Sequence, residues 1–427
     1  MDVWNKDILG LSIFILSFLF IIIFHRRKTL ILWIGVALLL IFRITTFRNA
    51  LVDINWNVIG IFWGTAIVAE VFIVSNVPAL IANKLVAKTG TVGLTILTVS
   101  AFSGFISSFC ENVATVMIVA PIAFEISRRL KVSPVPFLIA IAISSNLQGA
   151  ATLIGDPPSM ILAGFLHMNF NNFFFISTKP GLFFAVELGA FASLFVLFLA
   201  FKKYKQKTQS IGEIKVKTWM PSIILILMTL GLISISVFGL DFNRYGGIIS
   251  AFFGLIALIW YEIYHKGNDR RFGLLLRFDW ETLFFLFAIF ILVGMLSERG
   301  IVDKIANLIF VITGMNKFFA FLILVWVSVF LSAFIDNVPY VTAMIPIGII
   351  LSKTLGLEPY LLCFGIVIGA SIGGNITPFG ASANVVAVGM LKKKGYNVSF
   401  MDFVKLGLPF TIVSTLVASM FIWFFWK

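Results

Sequence analysis

The sequence predicts an all-α polytopic membrane protein: about ten transmembrane helices plus two re-entrant hairpins, arranged as two inverted-topology repeats with discontinuous helices. Three observations predict it. Of 427 residues, 60% are hydrophobic and 12% charged, beyond the roughly 45 to 50% apolar content of soluble domains, and runs of about 20 apolar residues, the length that crosses a bilayer core, recur throughout. The second half of the chain repeats the first at a shift of 225 residues. Traced through the predicted spans, every strong basic cluster falls on one side.

This composition leaves no room for a sizeable soluble domain. The net charge of +13 would suggest a nucleic-acid partner in a soluble protein. Here the Lys and Arg residues sit in short clusters between apolar runs, where cytoplasmic loops facing anionic lipid explain them without nucleic acid. The two cysteines, Cys110 and Cys363, lie in apolar sequence and imply no disulfide framework. The first apolar run, 8–24, lacks a small-residue cleavage site and reads as a retained helix.

Apolar runs fall at about 8–24, 29–48, 56–75, 91–109, 112–127, 134–166, 181–201, 219–239, 245–264, 280–297, 317–335, 338–352, 359–391 and 404–426. The most polar internal stretch, "KKYKQKTQSIGEIKVK" at 202–217, divides the chain. The expected organisation is N-terminal scaffold helices at 1–49, a first repeat at 50–201, a basic cytoplasmic linker at 202–218, connecting helices at 219–279 and a second repeat at 280–427. Each repeat would hold a scaffold helix, a hairpin and a broken helix.

The repeat is carried by polar, Gly and Pro positions, which chance similarity between apolar segments does not match. "SSFCENVATVMIVAPI" at 107–122 aligns with "SAFIDNVPYVTAMIPI" at 332–347. In the same register Pro134 meets Pro359, Gly149 meets Gly374, Thr152 meets Thr377, Gly155 meets Gly380 and Gly164 meets Gly389. With a one-residue slip, Trp56 meets Trp280. If the N-terminus lies outside the cell membrane, "HRRK" at 25–28, Lys84 and Lys88, Arg128 to Lys131, the linker, "HKGNDRR" at 265–271 and "KKK" at 392–394 all lie inside, and the C-terminus lies outside. The first copy then opens inward and the second outward, an arrangement found in many secondary transporters.

Each copy joins two apolar runs through an acid and an asparagine, Glu111-Asn112 and Asp336-Asn337. Two full spans with a surface turn would satisfy the same charge count. The joints, however, carry no Gly or Pro cluster, and their neighbours are small or apolar rather than headgroup-like, which favours re-entrant hairpins lining a cavity. A carboxylate at that depth costs roughly 2.5 to 3.5 kcal/mol unless protonated or paired, so it marks a functional site by default. The adjacent Asn offers both donors and an acceptor for an ion or a small oxy-ligand.

The segments that follow, 134–166 and 359–391, are too long for one plain span. Their centres, "NLQGAATLIGDPPSM" and "SIGGNITPFGASANV", place Gly, Thr and Pro where a helix must break. The second half-helix of the first copy should start near Pro157-Pro158, capped by Asp156. Half-helix dipoles and freed carbonyls would then face the midplane, the carbonyls suited to a cation. The alternative is a kinked structural helix. Glu70 and Glu187 are weaker intramembrane candidates: each reads either as a coupling group, Glu70 the more so, or as a simple partner for a neighbouring helix. The three histidines lie at predicted helix ends without metal-binding spacing, and no GxxxxGK[ST] loop occurs. No nucleophile-base pair or metal set is visible, so the expectation is no enzyme activity, no cofactor and no metal, with a proton or sodium gradient as driving force.

Three segments resemble the ion transporter superfamily, on the branch of arsenical pumps (ArsB), NhaD-type sodium/proton antiporters and the melanosomal P protein, with a CitMHS-type permease domain. They are residues 332–347, "ATLIGDPPSM" at 151–160 and "PFGASANVVAVGMLKKKGYNVSFMDFVKLGLP" at 378–409. The similarity runs from about residue 50 to the end. It implies a homodimer built on scaffold helices, with a transport domain of two hairpins and two broken helices. Carried over by position, it implies that Glu111, Asn112, Asp336 and Asn337 at the tips, with Thr152, Gly155, Asp156, Thr377, Gly380, Ser382 and Asn384 at the breaks, surround the substrate. Related dicarboxylate carriers place Ser-Asn-Thr at the tips. Here the tips read Glu-Asn-Val and Asp-Asn-Val, and buried carboxylates repel multivalent anions.

The sequence therefore points to a secondary active transporter in the cell membrane. It would export arsenite, antimonite or another small inorganic ion with proton coupling, and an arsenical system would add an ATPase subunit as partner. Rival readings are a sodium/proton antiporter, a citrate or dicarboxylate permease and a passive anion channel.

Overall fold

The structure, a computed structural model, describes residues 3–24, 27–130, 132–207, 214–264 and 273–427. His25 and Arg26, Lys131, the middle of the linker and the basic stretch 265–271 lie outside the described residues. The N-terminal helices are α1 (Val3–Ile23), α2 (Lys28–Ile41) and α3 (Phe47–Asp53). The first repeat comprises α4 (Trp56–Val74), α5 (Val77–Ala87), α6 (Val92–Ser107), α7 (Asn112–Leu130), α8 (Val135–Gly149), α9 (Pro157–Leu166) and α10 (Leu182–Phe201). Next come the connecting helices α11 (Met220–Val237) and α12 (Phe242–Tyr264). The second repeat presents the same seven helices in the same order: α13 (Trp280–Glu298), α14 (Ile301–Thr313), α15 (Lys317–Ser332), α16 (Asn337–Thr354), α17 (Pro359–Gly373), α18 (Ser382–Lys393) and α19 (Phe400–Trp426).

Among the described residues, eight helices are long and apolar enough to cross a membrane: α1, α4, α10, α11, α12, α13, α17 with the turn after it, and α19. The 14-residue α2, the 11-residue α5 and the broken pair α8–α9 are shorter apolar helices outside the hairpins. Three helices had no counterpart among the apolar runs. The short α3 lies across the boundary expected at 49/50, while α5 and α14, of 11 and 13 residues, are too short to register as spans on their own. The chain bends by 118° between α14 and α15, and Gly314, at φ 57°, supplies the left-handed backbone that begins this bend.

Local sequence explains where the helices begin. Asn55, Thr91, Asp156, Asp279, Asn316 and Ser399 each accept a hydrogen bond from a backbone amide in the first turn of the following helix, meeting one of the donors every helix start leaves free. Helices α8 and α17 are buried on nearly every side, as all-round apolar helices must be, and form the centre of the bundle. Around them the halves exchange partners: α12 packs along α4, and α2 along α13. The α4–α12 contact is backbone to backbone. A Cβ at Gly64 would sit 2.0 Å from the Ser250 carbonyl oxygen, which is why small residues recur there.

Candidate functional site

Helices α6 and α7 form one helical hairpin and α15 and α16 the other, with tips at 108–111 and 333–336. Their first arms are 16 residues each, about 24 Å at 1.5 Å per residue, short of a full crossing. Glu111, Asn112, Asp336 and Asn337 line one chamber of about 20 Å3. Two surface turns on opposite faces of a bilayer could not meet in one chamber; two re-entrant tips of inverted repeats must.

Matched bonds tie each tip to the break in the helix behind it. The Thr152 hydroxyl donates to the Ser108 carbonyl, and the Thr377 hydroxyl donates to the Ala333 carbonyl at 2.6 Å, the same bond 225 residues on. Gly155 and Gly380 permit the tight fold of the breaks: a Cβ would lie 2.2 Å from the Gly149 carbonyl oxygen in one and 2.6 Å from that of Gly374 in the other. Asp156 accepts from the Ser159 amide at 3.2 Å and starts α9. Its counterpart position holds Ala381, without a side-chain cap. There Asn384 serves the break instead, donating to the Gly374 and Thr377 carbonyls at 2.9 Å each. Thr152, Gly155, Asp156, Thr377, Gly380 and Asn384 thus stand behind the chamber and hold its shape, whereas Ser382 lines it.

A buried amide network joins the repeats at the centre. Asn146 on α8 accepts from Asn112 Nδ2 at 3.1 Å, and donates to the Ser371 carbonyl at 2.7 Å and to Asn375 Oδ1 at 3.0 Å. Asn375 donates onward to the Ile143 carbonyl at 3.0 Å. Ser371 is the repeat counterpart of Asn146, so this contact lies where the two copies cross.

Two residues that the sequence did not single out complete the chamber. Lys28, at the start of α2, donates from Nζ to Asp336 Oδ2 at 2.6 Å and lies 5.1 Å from the centroid of the Phe285 ring. Asp279 caps α13 through the Thr282 amide at 2.9 Å and hydroxyl at 2.5 Å, and its carboxyl faces the chamber. The acids that face inward therefore sit at helix starts: Glu111 accepts from the Ala114 amide at 3.2 Å, and Asp336 from that of Val338 at 3.2 Å. The positive ends of the helix dipoles support their charge. Lys28 reads in the sequence as one member of a topology-setting basic cluster, so its role was hidden. Asp279 carried a visible signal, because it occupies the repeat position of Asn55, an N-cap before Trp56.

Larger cavities flank the chamber on two sides. One of 360 Å3 shares Glu111 and Asp279 with it and is lined further by Glu70, Arg277 and Glu281. Another of 640 Å3 shares Lys28, Asp336 and Ser382 and is lined by Phe334 and Phe379. Glu187 on α10 lines none of the three. Among the described residues no three carboxyl, imidazole or thiol groups are gathered tightly enough to cage a metal ion. The acids instead line adjoining cavities, with oxygen ligands suited to protons and hard cations.

The comparisons with known proteins agree with this architecture. The "46 kDa membrane protein" of Mycobacterium leprae is 28% identical over 98% of both chains. The human P protein is 27% identical over 85% of this chain and 53% of its own length. Among solved structures, the Alcanivorax borkumensis YdaH transporter superposes with a TM-score of 0.59 at 16% identity, covering 88% of this chain and 86% of that one. The Neisseria gonorrhoeae MtrF structure gives 0.56 at 15% identity, covering 86% and 80%. The citrate transporter family, CitMHS, matches residues 18–347 and 242–427. With two hairpin tips and two broken helices enclosing one chamber, the chain is a multi-pass membrane transporter and belongs to the citrate transporter family.

Proposed function

We propose that this transporter is a proton-coupled secondary exporter of a small inorganic ion or neutral oxyacid, of the arsenite and antimonite type, working by alternating access. The observation that supports this most is the charge of the chamber: Glu111, Asp279 and Asp336 face it against one lysine among its described lining residues. Such a lining attracts protons and cations, tolerates neutral oxyacids and repels multivalent carboxylates. Citrate itself is therefore a poor fit to these tips.

In this reading Glu111 and Asp336 carry the exchanged proton, and Asn112 and Asn337 offer hydrogen bonds to the solute. Glu70, across the 360 Å3 cavity from Glu111, relays the proton to the chamber. In this reading both termini lie outside the cell membrane, which the positive-inside count favours, and the protein works as a homodimer. Sodium/proton exchange is the second reading, favoured by the same carboxylate oxygens. Purified protein in liposomes should move arsenite or antimonite faster with an imposed proton gradient than without. Uptake of citrate at the fastest rate in the panel, or flux indifferent to every gradient, would overturn the proposal.

A further inference from the structure

The ion pair between Lys28 and Asp336 joins two units that alternating access must move apart. Lys28 belongs to α2, which packs along the scaffold helix α13. Asp336 is at the tip of the second hairpin. Both side chains are 17% exposed, so the contact is partly desolvated, and the lysine is held a second time by the face of Phe285. The chamber beside it has room for about one water, and Lys28 is among the residues that line it. Lys28 is also absent from the repeat pattern: α2 precedes the first copy and has a different length and sequence from α12, which precedes the second. Among the described residues, the second tip is tethered by an ion pair and the first is not.

We propose that Lys28 is a tethered cation that latches the second hairpin tip to the scaffold, and that a proton or a monovalent cation arriving at Asp336 displaces it and frees the tip to move. The inference rests on the alternating-access reading above, in the form where an ion is loaded on each leg of the exchange, and adds its coupling device. With no ion bound at the site, the lysine holds Asp336. A loaded site neutralises Asp336, and the lysine lets go. Movement without a loaded ion, which would dissipate the gradient, is thereby suppressed. Among the described residues, the other charged groups facing this pair are Asp279 and Glu281 from α13 and Glu111 from the first tip. All are acidic, so they keep Lys28 charged while leaving Asp336 as its bonded partner.

The test is a distance measurement that needs no transport substrate. Spin labels at Phe334→Cys on the second tip and Phe47→Cys on α3, both exposed, report tip position by pulsed electron resonance. The native Cys110 and Cys363 are buried. In alkaline, sodium-free buffer the labelled protein should show one dominant distance, and acid or saturating sodium chloride should each be tried for a second. Lys28→Met should raise the second population by about tenfold or more without either ion, a ratio within reach of one partly buried pair. Lys28→Arg should keep the ion dependence. A Lys28→Met distribution identical to the parent's in sodium-free alkali overturns the latch, and so does a parent distribution that neither acid nor sodium shifts. Which ion shifts it separates proton from sodium. Because this readout does not depend on flux, a failed substrate panel with an intact distance response would reject the proposed cargo and leave the latch standing.

Discussion

Replacing Asn146 by leucine tests whether the amide network holds the two repeats together. Leucine keeps the branched side-chain skeleton but is bulkier, so no cavity forms and overpacking adds to the cost, while three buried partners lose their bonds: the Asn112 amide, the Ser371 carbonyl and the Asn375 side-chain oxygen. A buried polar group left unsatisfied costs about 1–3 kcal/mol. Three neighbours that relax together do not add fully, so the expected loss is about 3–6 kcal/mol. That is a large fraction of a typical margin of about 5–15 kcal/mol. In detergent the melting temperature should fall by about 5–10 °C. The Asn146→Leu/Asn375→Leu double variant should lose less than the sum of the single losses, because the two side chains share a bond. A shift under about 1 °C, or strictly additive losses, would refute the view that this network is a joint between the copies.

Other consequences are as specific. Gly155→Ala and Gly380→Ala force a Cβ against backbone carbonyls at 2.2 and 2.6 Å. Each should cost about 1–3 kcal/mol of stability and depress transport rate more than solute affinity. Thr377→Val, which cuts the tie to the Ala333 carbonyl, should cost about 1 kcal/mol and increase proteolysis or hydrogen exchange at the second tip. Asp53, on the short α3 outside the spans, has its carboxyl pushed up to about 7 by burial and then by the nearby Glu298. A raised carboxyl contributes stability below its unfolded value near 3.8 that is lost as pH rises through about 7. Asp53→Asn should therefore melt above the wild type in mild alkali, with the gap closing in acid.

The hairpins and breaks were legible because each depends on a few polar, Gly or Pro residues that stand out against an apolar background and recur 225 positions later. Glu111 and Asp336 could be paired for that reason alone. Helices α3, α5 and α14 were not legible, since short or interfacial helices lack the continuous apolar run that marks a span. At the breaks the residue types were informative but not their direction: Thr152 and Thr377 turn toward tip carbonyls, and only the folded backbone reveals which carbonyl is in reach. Lys28 was obscured for a different reason. A lysine beside "HRR" satisfies the positive-inside pattern completely, and nothing local announces that it meets a carboxylate 308 residues away.

The central claim is that the tip carboxylates carry the coupled ion, and Glu111 tests it most directly, since it lines both the chamber and the cavity shared with Glu70. The measurement is proton flux alongside solute flux in liposomes containing Glu111→Gln. Glutamine can still accept from the Ala114 amide, so folding should survive. Gradient-driven solute flux should fall to background while the melting temperature stays close to the wild type. Wild-type proton coupling in that variant would contradict it.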